Sequence, residues 1–160
     1  MLLCVRFLCA CEGSHQYVSS FNHVDYSFDD GWISAFSIRL FNDGTFVCAK
    51  GRSKNKKYFV GKVNFQSLRD IEKKYRDVLQ CQPDSVYREN IVDAASYKIV
   101  EDNHSFHVYG TGEPDCLHLF HNIFQSLVQR NMNPIQTKID FKSLEGFYPP
   151  GLNIDTLAFI

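Results

Sequence analysis

The sequence predicts an α+β domain: an antiparallel sheet with two helices packed on one of its faces, a two-layer sandwich. Three observations carry this. Residues 36–40 alternate apolar and polar, Asn42-Asp43-Gly44 turns the chain, and Thr45-Phe46-Val47-Cys48 follows, which is a hairpin closed by a turn with positive φ at its glycine. A second hairpin of the same kind spans residues 95–109, with Asp102-Asn103 at its turn. After each hairpin the apolar period lengthens from two residues to about 3.6, the spacing of a helix with one buried face.

Taken in order, Val24, Tyr26 and Phe28 alternate as in a strand that ends at the Asp29-Asp30-Gly31 turn. The main hairpin follows, with Phe36, Ile38 and Leu40 on one face and Ser37 and Arg39 on the other. Residues 58–63 read as a further strand. Phe65, Leu68, Ile71, Tyr75, Val78 and Leu79 then share one side of a helix that Asn64 is placed to cap. Residues 81–90, with Pro83-Asp84-Ser85, read as a loop. The second hairpin leads through Thr111-Gly112-Glu113-Pro114 to a helix with Asp115 as its expected cap and Leu117, Phe120, Ile123, Phe124, Leu127 and Val128 as its apolar stripe. Residues 135–141 suggest a strand, and residues 152–160 a terminal strand or apolar tail.

The length of 160 residues suffices for one core and is short for two ordinary domains, so residues 12–160 are expected to form a single one. With 44% hydrophobic and 22% charged residues the composition is that of a chain that folds. A net charge of −1 offers no global field toward nucleic acid or an anionic membrane, which leaves recognition to a local patch.

Residues 1–11 stand apart. They are apolar apart from Arg6, end Leu-Cys-Ala-Cys, and precede polar Glu12-Gly13-Ser14. Two readings stay open: a truncated lipoprotein signal with Cys11 as the lipidated residue, or the first element of the fold. The compartment is correspondingly open between periplasm, lipid-anchored membrane surface and cytoplasm. No stretch approaches the ~20 apolar residues of a transmembrane helix. Lipidation of Cys11 would leave Cys48, Cys81 and Cys116, an odd set, so reduced thiols acting as small buried hydrophobes are expected.

The second hairpin and helix supply chemistry-bearing residues in no recognised spacing. His104 and His107 have opposite strand parity, while His118 and His121 share a helix face that lies opposite the apolar stripe, hence toward solvent. No His-Glu-x-x-His or paired Cys-x-x-Cys occurs, so no metal or cofactor is implied. Cys116 in a first helical turn resembles the position of a reactive thiolate, but Glu113 and Asp115 beside it would raise its pKa. A small thiol or hydrolytic enzyme using Cys116 and a histidine is the alternative function.

The leading function is recognition of another protein without catalysis, in the manner of a toxin-neutralising immunity protein. Its expected contacts are Tyr26, Phe28 and Trp32, aromatics in an otherwise polar segment, with Lys54 and Lys56 of the one basic run as a second patch. No aromatics interleave with the lysines and no nucleic-acid motif appears, so nucleic acid is not an expected partner.

The segment from Phe36-Ser37-Ile38-Arg39-Leu40-Phe41 through Asn42-Asp43-Gly44-Thr45-Phe46, with Tyr58-Phe59-Val60-Gly61, Tyr97-Lys98-Ile99 and Val108-Tyr109-Gly110, resembles an uncharacterised family of small, often exported bacterial α+β domains. The resemblance spans about residues 33–130 and rests on turn and core positions. Members carry a cysteine pair before the first long strand, where this chain has Asp29-Asp30-Gly31-Trp32. It implies the fold and supplies no activity or catalytic residue.

Overall fold

The computed structural model describes residues 21–52, 55–91 and 93–147. They form one eight-stranded sheet with two helices. The strands are β1 His23–Asp29, β2 Ala35–Phe41, β3 Thr45–Lys50, β4 Lys57–Lys62, β5 Val86–Arg88, β6 Ser96–Glu101, β7 His104–Tyr109 and β8 Asn133–Ile135; the helices are α1 Phe65–Cys81 and α2 Asp115–Leu127. Their order across the sheet is β5-β7-β6-β1-β2-β3-β4-β8. β5 pairs parallel with β7, and the other neighbours are antiparallel, so the sheet is mixed rather than the antiparallel one expected.

Strand parity sorts the core. Tyr26 lies in register between Ile38 and Ile99, and Ile38 continues to Cys48. These side chains point to one face, where Leu68, Ile71, Tyr75 and Val78 of α1 and Leu117, Phe120, Phe124 and Leu127 of α2 cover them. Asn64 caps α1 as its sequence position predicts, accepting the Ser67 N–H at 2.8 Å. Asp115 does not cap α2: it is the first helical residue, and Pro114 holds the cap position without a side-chain bond. Phe65 is 53% exposed rather than on the buried stripe, with the Arg69 guanidinium 5.7 Å from its ring.

The opposite face is also partly covered, which a two-layer description omits. The expected strand over residues 135–141 is reduced to β8, and the chain after it crosses the back of the sheet. Phe141 packs there on Val47 and Ala49, with Tyr58, Val60 and Ile139 around them. A polar seam explains the departure from strand geometry. Arg39 donates Nε and Nη2 to the fully buried Asp25 at 2.6 and 2.7 Å, Lys142 N–H donates to Asp25 at 2.6 Å, and Asp140 C=O accepts from Arg39. Backbone groups of residues 140–142 satisfy a buried ion pair and are not available to a ladder. Ser27 hydrogen-bonds both Ser37 and Ser143 in the same seam.

The loop expected over residues 81–90 contains β5, three residues whose pairing partner lies far along the chain. No described helix is long and apolar enough to cross a membrane. The readings of Cys11, of Lys54 and of the tail at residues 152–160 lie outside the described residues.

Candidate functional site

The β1–β2 loop, residues 30–34, is built around two aspartates and one arginine. Asp30 Oδ1 accepts the backbone N–H of Trp32, Ile33 and Ser34 at 2.8, 2.9 and 2.8 Å, and Asp29 Oδ1 accepts that of Gly31 at 2.7 Å. Gly31 takes φ of 81°, the left-handed value the reversal requires. From the β3–β4 connection Arg52 reaches in, donating Nε and Nη2 to Asp29 at 3.0 and 2.5 Å and Nη1 to the Trp32 carbonyl at 3.1 Å. The backbone is therefore fixed from both sides.

Burial acts to raise the Asp30 carboxyl, but the N–H groups of Ser34, Trp32 and Ile33 and the Arg52 charge together hold it below its ordinary value. Its carboxylate form keeps the loop in shape. What the loop displays is apolar: Trp32 is 72% exposed and Ile33 91%. A bulky pair held in water on a tied backbone is unusual for a surface with only structural duties.

Of the residues expected to bind, Trp32 occupies such a surface. Tyr26 does not. It is fully buried beneath α2, its ring stacked on Phe124 with centroids 4.6 Å apart. The alternation that revealed β1 placed it on the core side, and packing claims it. Phe28 is half-buried, and with Lys56 it lines a cavity of about 240 Å³ at the foot of the loop. Ile33, Asp30 and Arg52 escaped the sequence reading. Asp-Asp-Gly signals a turn, but that its carboxylates would tie an apolar tip in place depends on Arg52, some twenty residues away in the chain.

The histidine and cysteine expectations change more. Cys116 forms a disulfide with Cys81, joining the start of α2 to the end of α1 across 35 residues. The expectation of reduced thiols fails for this pair, because the loop that separates them in sequence brings the two helix ends together. With its sulfur bonded, Cys116 is no nucleophile. Cys48 is free and buried, its thiol pushed up to about 12 by burial.

His121 is half-buried rather than turned to solvent. Tyr97 stacks on it with centroids 4.2 Å apart, and His121 Nδ1 hydrogen-bonds the Tyr26 hydroxyl at 2.8 Å, which also accepts from Gln125 Nε2 at 3.3 Å. The large aromatics of β1 and β6 reach beyond the apolar stripe and enclose the ring. Burial, helped by His118, pushes its pKa down to about 4, so the ring is neutral near pH 7. His118 hydrogen-bonds Glu113 at 3.0 Å and remains at the surface. His104 and His107 part to opposite sides as their parity requires, His107 buried at 3.1 Å from Ser96 Oγ. Among the described residues no group of three or more His, Cys, Asp or Glu is placed to hold a metal ion.

No protein-family model matches the chain. Nor does a search of curated proteins find a matching sequence.

Proposed function

We propose that this chain is a non-enzymatic protein-binding domain that presents the β1–β2 loop to a partner protein, in the manner of a toxin-neutralising immunity protein. The observation that carries the reading is the pairing of exposure with order: Trp32 and Ile33 stand in water while Asp30 and Arg52 hold their backbone. A tied loop loses little conformational freedom on binding, so burial of a tryptophan and an isoleucine goes largely into affinity. An enzyme built on a Cys116 thiolate is disfavoured by the Cys81–Cys116 bridge. The resemblance to small, often exported bacterial domains supplies no activity to this reading.

Parallel affinity capture from a native lysate with the wild-type chain and a Trp32→Ala/Ile33→Ser variant tests it. The expected result is a stoichiometric partner held by the wild type and lost by the folded variant. Equal recovery by both would place recognition elsewhere; recovery of nothing by the wild type across several lysate conditions would count against a protein partner.

A further inference from the structure

The cavity at the foot of the loop has a composition of its own. Its walls are Phe28, Ala35, Phe36, Leu144 and Phe147, and its charged groups are Asp29, Arg52 and Lys56. Asp29 and Arg52 cancel, since the guanidinium grips the carboxylate through two bonds. Lys56 has no ion pair among the described residues. Burial disfavours its charge, and the exposed Lys138 adds to that, with Asp140 acting the other way. The cavity thus combines apolar walls with one lysine that no ion pair among the described residues engages.

We propose that this cavity binds an apolar group carrying a single carboxylate, the apolar body against Phe28, Phe36, Leu144 and Phe147 and the carboxylate on Lys56. Size agrees: an apolar cavity of roughly 150 Å³ holds a benzene ring, and one of about 240 Å³ has room for a ring with a short chain. Burial and Lys138 together lower the Lys56 pKa, and a carboxylate alongside would reverse that shift. The required chemistry is shared by a free arylalkanoic acid and by the C-terminal residue of a polypeptide that ends in an apolar side chain. The site is independent of the Trp32 reading, because Trp32 does not line it.

Amide NMR of the isotope-labelled full chain tests the proposal with four probes: hydrocinnamate, its neutral amide, and the tripeptide Gly-Gly-Phe with a free or an amidated C terminus. The free acids are expected to shift the Ala35, Ser37 and Gly51 resonances saturably. The neutral forms should bind about tenfold more weakly, the worth of one charge-assisted bond at a part-exposed site. Lys56→Met should remove that preference and leave the amides' affinity unchanged. Tighter binding of the free tripeptide supports the site with a polypeptide terminus as its ligand; tighter binding of hydrocinnamate supports it with a free acid. Trp32→Ala should keep acid binding, so failure of this site and failure of partner capture are separate results. No saturable shift with either acid, equal binding of acid and amide, or a preference that survives Lys56→Met would each overturn it.

Discussion

The carboxylate of Asp30 accepts the backbone N–H of Ile33 at 2.9 Å, so a buried-type side chain that is 91% exposed stands on a backbone held by its own neighbour. Asp30→Ala should leave Trp32 and Ile33 present but untied. Hydrogen exchange at the Trp32, Ile33 and Ser34 amides should accelerate, with a stability loss of about 1 kcal/mol, typical of losing a capping carboxylate. Because the folded Asp30 pKa is lowered, its contribution is present above the ordinary carboxylate pKa and is lost as pH falls through the depressed one. Unchanged protection of the three amides would show that Arg52 alone orders the loop.

Gly44→Val should destabilise by more than ~1 kcal/mol, since a β-branched residue is strained at positive φ. Gly44 has φ of 81°, and a Cβ there would lie 2.9 Å from the Val63 carbonyl oxygen. Urea denaturation reads the effect; an unchanged midpoint would mean that the turn is not rigidly held.

His121 makes stability depend on pH in a defined window. The folded pKa is about 4, against an ordinary value of 6.5. Between these values the unfolded chain binds the proton and the folded one does not, so stability falls as pH drops through the window and levels off below it. The loss from this residue is about 2 kcal/mol, allowing for the part of the ring that faces water. His107, likewise at about 4 through burial with Lys98 and Arg88 nearby, adds to the same slope. Denaturation midpoints across the window should show it, and His121→Gln, which keeps a polar partner for Tyr26, should make it shallower. A slope that the substitution leaves intact would exclude His121 as a source.

The disulfide closes a loop of 35 residues between the helices. Cys81→Ala/Cys116→Ala should lower stability by roughly 4 kcal/mol in the chain-entropy picture. Denaturation of the oxidised wild type, the reduced wild type and the double variant gives the comparison. The two thiol-free or reduced forms should agree; a reduced protein as stable as the oxidised one would show that the bridge constrains nothing.

Local pattern carried much of the fold. Period-two alternation located β1, β2, β6 and β7, the Asp43-Gly44 turn and an apolar run pointed to β3 and β4, and helical spacing located the buried Leu68, Ile71, Phe120 and Phe124. What it missed depends on contacts distant in sequence. β5 has three residues and a parallel partner, too little for a period to register. Residues 140–142 lose strand geometry to the Asp25–Arg39 pair, which no local window contains. The candidate site shows the same division. Trp32 was visible as an aromatic in a polar segment, whereas the burial of Tyr26 and His121 follows from α2 settling over β1 and β6. Cysteine parity suggested free thiols, but pairing is decided by where the helix ends meet.

Trp32 is the single tryptophan of the chain, so its signal reports on the loop and nothing else. Incorporated fluorotryptophan, followed by fluorine NMR while the captured partner is titrated at low and high salt, tests recognition by the loop directly. The resonance is expected to move to a buried position on binding, with an affinity that changes little with salt because apolar burial dominates. A resonance that stays at its solvent-exposed position while binding weakens steeply with salt would place recognition on the lysines and contradict it.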